Sequence, residues 1–212
     1  MGRPRRIQFE GAFYHIYNRG VDKAKIVWDE RDRRTFLQLV SNTVINFRLR
    51  LFAYCLMTNH YHLFFQIQER NLDRAIQYLQ GQYGRYIHER HERVGPLFQG
   101  RYQSRLVETD PYSLVLVRYI HQNPVEAGMV QRVDDYPWSS YPCYTGLFPK
   151  WKWLETEWIL SQFDEDTAIA EGMFRKFHQE CASEEMQQEL KCQKHILGSA
   201  QFAEAIGVRH GV

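Results

Sequence analysis

The order of strand-like and helix-like stretches in this 212-residue chain predicts an α+β fold. It is a ferredoxin-like βαββαβ unit: an antiparallel sheet with both helices on one face, followed by a C-terminal helical appendage. Three observations carry the prediction. Residues 49–57 and 60–68 are two β-branched and aromatic runs separated only by Thr58-Asn59, a hairpin signature. Two long stretches with apolar residues at helical spacing, 29–47 and 71–93, bracket that hairpin. Two further strand-like runs, 12–21 and 102–108, sit at the outer ends of the pattern.

Each element has its local reason. Residues 12–21 are aromatic and β-branched, and Gly20 ends or bulges the strand. His15 lies there; it could serve a site, but a histidine satisfied within the core or at an edge is the first expectation. The first helix opens on acidic residues and places Phe36, Leu37, Leu39, Val40, Val44 and Phe47 on one side. Asn71 is the expected cap of the second helix, whose apolar side is Leu72, Ala75, Ile76, Leu79, Tyr83, Tyr86 and Ile87. Gly95-Pro96 stops it. After the fourth strand a helix is expected over 111–122, ended or kinked by Asn123-Pro124. The aromatic run 136–141 is expected to seal the domain. Beyond residue 150 three helical pieces are expected, 155–161, 167–179 and 183–206, the last broken near Gly198. The chain therefore divides into residues 1–149 and an appendage, 150–212.

Composition narrows the function classes. Hydrophobic residues make up 44 % and charged residues 25 %, ordinary globular usage. No apolar run reaches membrane-spanning length, and the basic N-terminus has no apolar segment behind it, so neither a membrane span nor a secretory signal is expected. Four scattered cysteines form no C-x-x-C pair, which fits a reducing cytoplasm; association with the nucleoid is a separate expectation that goes with a DNA partner. Net charge is +2, but residues 1–149 carry +6 and residues 150–212 carry −4. An arginine-rich basic body suits phosphate contacts. Arg3, Arg5 and Arg6 form a basic arm positioned to reach DNA, and Arg101 and Arg105 flank the fourth strand as further phosphate contacts.

The chemistry centres on His60-Tyr61-His62. Residues two apart on a strand share a face, so the two imidazoles lie side by side while Tyr61, Leu63 and Phe65 face the other way. Two imidazoles make half of a metal site. Further on, Tyr119 and Asn123 are four apart and share a helix face. If that face meets the histidines, one site gains a phenol and an amide oxygen. A metal there polarises a phosphate, and a tyrosine can attack it as a covalent nucleophile. Arg85-Tyr86-Ile87-His88 repeats the tetrapeptide around Tyr119 but lacks the following Asn-Pro, so Tyr86 ranks second. His88 and His91, at helical spacing, read first as a solvated helix face.

Taken together, His60-Tyr-His62, the segment from Gly95 through Arg101 to Ser104, and the segment from Tyr119 through Asn123 to Gly128 resemble the single-tyrosine HUH transposases, and most closely the REP-associated tyrosine transposases. The resemblance covers about residues 5–145. It implies a ferredoxin-like domain that cuts and rejoins single-stranded DNA near hairpins through a 5′-phosphotyrosine, with Mg²⁺ or Mn²⁺. By motif it makes His60, His62 and Asn123 metal ligands and Tyr119 the nucleophile. Relatives often carry a basic residue where this chain has Glu126.

The expected activity is thus metal-dependent single-strand endonuclease and strand transfer at hairpins, DNA transposition chemistry. A hairpin-binding protein of the same fold without catalysis is the rival. An RNA-binding ferredoxin-like domain is a third reading, weakened because Tyr61 and Phe65 face away from the histidines. The expected partner is single-stranded DNA with hairpins, with no membrane, the chain acting as a monomer or homodimer.

Overall fold

The computed structural model describes residues 7–109, 112–180 and 195–210, the last three of these for the backbone alone. The arm holding Arg3, Arg5 and Arg6, and residues 183–194 of the third C-terminal helix expected, lie outside the described residues. Strands β1 (Phe13–Arg19), β2 (Leu49–Leu56), β3 (His60–Ile67) and β4 (Gln103–Val107) form a sheet in the order β2-β3-β1-β4. All three pairings among them are antiparallel, which is the ferredoxin-like order. A fifth strand, β5 (Ile196–Leu197), extends the sheet beside β4 and runs parallel to it. This corrects the expected helix 183–206: Ile196 and Leu197 pair with Leu106 and Val107, and helix α7 (Ala200–His210) starts only beyond Gly198 and Ser199.

Helices α1 (Glu30–Asn46) and α2 (Leu72–His91) cover one face. Asp29 caps α1 by accepting from the Asp32 N–H at 3.1 Å. Phe36, Val40 and Val44 then fall on its buried side against Tyr61, Leu63 and Phe65 of β3. The side chain of Asn71 does not cap α2; it donates to the Phe47 carbonyl, and Gln8 Oε1 accepts from the Leu72 N–H instead. Buried Asp32 fastens the helix pair, accepting from Tyr86 and paired with Arg90 and His91.

The other face is covered by α3 (Tyr112–Glu126), backed by two short helices, α4 (Tyr141–Tyr144) and α5 (Glu157–Leu160), and by α6 (Thr167–Gln179). A bulge at Phe52 shifts the β2 register and puts Phe52 and Ala53, adjacent in sequence, into this same second core. The aromatic run 136–141 lies along the open edge of β2: Leu56 N–H donates to the Trp138 carbonyl and Ser140 N–H to that of Tyr54, both at 2.9 Å. An edge strand is thereby blunted. Residues on both sides of position 150 share the second core, where Leu116 and Ile120 meet Ile159 and Phe174.

Candidate active site

The site forms where α3 crosses the face of the sheet that α1 and α2 leave uncovered. Strand parity places His60 and His62 of β3 there, and the β1 register sets Arg19 beside His60 and Tyr17 beside His62. The two imidazoles meet edge to face with centroids 5.1 Å apart. Tyr119 of α3 stands nearly perpendicular to His62, 5.8 Å between centroids, and to His15 at 6.1 Å. The helix face that carries Tyr119 thus packs against His62. Asn123, one turn further, touches both imidazoles and the phenol.

Hydrogen bonds orient the donors. Asn59 commits its Nδ2 to the Lys23 carbonyl, so its Oδ1 faces His60 Nδ1 at 2.7 Å. His60 therefore carries its proton on Nδ1 and leaves the Nε2 lone pair bare. Asn123 commits its Nδ2 to the Tyr119 carbonyl at 2.7 Å, so its Oδ1 turns to the imidazoles. Nδ1 of His62 is engaged by His15 at 2.9 Å, which leaves His62 Nε2 on the Asn123 side. Among the described residues no three His, Cys, Asp or Glu side chains converge as a metal cluster; here the third donor is an amide. Two imidazole nitrogens and an amide oxygen suit a divalent cation of borderline or hard character.

The sequence profile of the family described as "Transposase IS200 like" matches residues 8–123, more than half of the chain. The chain belongs to the IS200-like transposase family. A Haemophilus influenzae protein described as a REP-associated tyrosine transposase is 27 % identical over 117 residues, covering 50 % of this chain and 66 % of the relative, just under two thirds of its length. Among solved structures, a REP-associated tyrosine transposase bound to a REP hairpin superposes with a TM-score of 0.58 at 17 % identity, over 71 % of this chain and 91 % of that one. At that identity the likeness establishes the fold. No helix among the described residues is long and apolar enough to cross a membrane.

In this member of the IS200-like family, burial keeps the site's imidazoles and phenol neutral. Burial lowers the pKa of His60, opposed by its contact with Asn123. Burial lowers that of His62 further, helped by His15, His60 and Arg105. Burial, then Arg105, pushes His15 down to about 3. Burial raises the Tyr119 pKa and Glu126 adds to it, while Arg105 and Asn123 pull it down. The phenol is protonated at neutral pH.

The other residues singled out in the sequence fall in distinct places. Arg101 is exposed and 3.7 Å from Asp73. Arg105 is not a surface phosphate contact: at 4 % exposure it points into the site face opposite His15, because its parity on β4 matches that of His15 on β1. Tyr86 bonds Asp32 on the opposite face of the sheet, far from the histidines. His91 stacks on Trp28 and bonds Asp32, so it is structural. Pro124 lies within α3 and does not end it; Ala127 N–H reaches the Asn123 carbonyl at 3.0 Å and carries the helix past it. The sequence reads His15 first as a core or edge histidine and carries no motif that singles out Tyr17 or Arg19. The available signal was parity: residues 15, 17 and 19 share a face on the strand that pairs with β3.

Proposed function

We propose that this IS200-like transposase is a metal-dependent single-strand DNA endonuclease and strand transferase acting at hairpins, with Tyr119 as the nucleophile. The observation that carries this reading is the convergence of the Tyr119 phenol, His60, His62 and Asn123 on one sheet face. His60, His62 and Asn123 fit as the holders of Mg²⁺ or Mn²⁺. Bound there, the cation would neutralise charge developing on the scissile phosphate.

The protein's own groups account for the rest. Three neutral donors cancel none of a cation's charge, so the site favours an anionic phosphate. Arg105 and the Asn123 amide lower the cost of ionising Tyr119. The phenol gives up its proton to water, and the phenolate oxygen attacks phosphorus. The P–O3′ bond breaks, its 3′-oxygen leaving with the bond electrons and taking up a proton from water to become a 3′-hydroxyl; a 5′-phosphotyrosine remains. A later 3′-hydroxyl reverses the step, and the phosphodiester energy is conserved. No nucleotide cofactor is needed.

The named relatives, one of them bound to a REP hairpin, support hairpin DNA as the partner. Exposed Arg19 and Arg101, near the site and on the loop before β4, are the phosphate contacts among the described residues, with the arginines of the arm adding to them. The test is incubation of the protein with hairpin-bearing single-stranded DNA, with Mg²⁺, Mn²⁺ or EDTA. Cleavage is expected with both metals and absent in EDTA and in Tyr119→Phe, which still binds the hairpin. Binding without cleavage under every metal condition favours the non-catalytic hairpin binder.

A further inference from the structure

Behind His62 lies a buried histidine that neither the ligand set nor the nucleophile uses. His15 is 1 % exposed, and its Nε2 sits 2.9 Å from His62 Nδ1. The ring planes are 18° apart with centroids separated by 5.1 Å. Near-coplanar rings at that separation meet end to end, the arrangement an N–H···N bond requires. The other ring nitrogen, His15 Nδ1, is buried and has no hydrogen-bond partner among the described residues.

A neutral imidazole carries one proton on one of two nitrogens. For His60 the choice is made by Asn59, as shown above. For His62 two self-consistent arrangements exist. In one, His62 Nδ1–H donates to His15 Nε2, and His62 Nε2 is a bare lone pair facing Asn123. In the other, His15 Nε2–H donates to His62 Nδ1, and the proton on His62 Nε2 blocks it as a ligand. We infer that His15 is a positioning residue that holds His62 in the first arrangement, accepting the Nδ1 proton so that Nε2 is presented to a divalent cation.

Metal-bound histidines characteristically donate their second N–H to an outer acceptor, which fixes both ring rotation and tautomer. Here that acceptor has to be a side chain. Strand β1 is hydrogen-bonded to β3 on one side and β4 on the other, so the ladder consumes its carbonyls. The His15 side chain, diagonal to His62 across the β1–β3 pair, supplies the acceptor. The arrangement leaves the proton of His15 on Nδ1, the ring nitrogen that has no hydrogen-bond partner among the described residues.

The inference rests on His60, His62 and Asn123 being a cation site, and the test separates the two ideas. Mn²⁺ affinity is measured by calorimetry on the full chain without DNA, for wild type, His62→Ala, His15→Gln and His15→Leu. Glutamine keeps an acceptor and should stay within a few-fold of wild type. Leucine removes it and should weaken Mn²⁺ binding about 10- to 100-fold, the usual loss for an outer-shell partner. Its thermal midpoint and its hairpin affinity in EDTA should not fall with it. Wild-type affinity in His15→Leu overturns the role of His15 and leaves the metal site standing. Wild type binding no better than His62→Ala overturns both. Long-range ¹H–¹⁵N correlation spectra of the wild type with Mg²⁺ need no variant: His62 protonated on Nδ1 is expected, and protonation on Nε2 overturns the inference.

Discussion

A half-buried phenol is a poor nucleophile until its proton is taken, and the neighbours of Tyr119 decide how poor. Arg105 lowers the Tyr119 pKa against the upward pull of burial and Glu126. Arg105→Gln should therefore move the rising limb of the cleavage pH–rate profile to higher pH, with the deficit largest at neutral pH and shrinking as pH rises. A uniform loss at every pH would show that Arg105 acts on something other than ionisation. Tyr86→Phe should cleave like wild type, since its hydroxyl serves Asp32 across the sheet. At this scale the sequence was legible where the period was short: His60 with His62, and Tyr119 with Asn123, are each set by local spacing. His15 and Arg105 were not, because their partners lie on other strands and only the register of β1 against β3 and β4 brings them in.

Helix α3 holds Tyr119 and Asn123, and a chain of protons holds α3. His178 Nδ1–H donates to the Phe174 carbonyl at 2.9 Å, so His178 Nε2 must accept from His121 Nδ1–H at 3.1 Å. His121 Nε2 then accepts from the Ser140 hydroxyl at 2.6 Å, and Ser140 Oγ accepts from the Tyr54 N–H. Every side chain in this set is fully or almost fully buried, so the Ser-His-His order is structural and reaches no substrate. It ties α6, α3 and the edge of β2 together. His178→Leu would leave the His121 Nδ1–H buried without an acceptor and should cost about 1–3 kcal/mol, read as a lower urea midpoint at unchanged slope. An unchanged midpoint would show that the chain contributes nothing to stability. Gly20, at the end of β1, is required by close approach: an added Cβ would lie 2.1 Å from the Ala24 carbonyl oxygen. Gly20→Ala should cost about 1–3 kcal/mol by overcrowding, checked by the same melt. The helices α1, α2 and α6 were readable from their apolar spacing. The strand β5 was not: two residues carry no period, and their pairing with β4 is a tertiary contact.

At the scale of the whole molecule, His15, His62, His121 and His178 are the buried histidines among the described residues, and burial lowers the pKa of each. The unfolded chain binds protons at these positions near pH 6.5 while the folded chain does not, so unfolding takes up protons in that window. Stability should hold above pH 6.5 and fall as pH drops toward 4. A thermal midpoint flat over that range would contradict the burial of neutral rings. The charge asymmetry of the chain, +6 over residues 1–149 and −4 beyond, was legible at once and matches a phosphate-binding body. Hairpin affinity should weaken steeply with salt, and deleting residues 1–6 should lower the slope by about two units at roughly 0.7–0.9 per phosphate contact. A slope unmoved by the deletion would remove the arm from the binding surface.

In the proposed reaction one oxygen, that of the Tyr119 phenol, becomes bonded to DNA. Covalent adduct formed on hairpin-bearing single-stranded DNA can be trapped, digested with nuclease and trypsin, and sequenced by mass spectrometry. Cleavage after Arg118 and Arg132 places Tyr119 in the peptide 119–132, while Tyr86 falls in the peptide 86–90, so the two tyrosines are resolved without mutation. A 5′-phosphonucleotide on Tyr119 in the first peptide is expected. Its appearance on Tyr86, or on any other residue, with Tyr119 unmodified would contradict the proposed reaction.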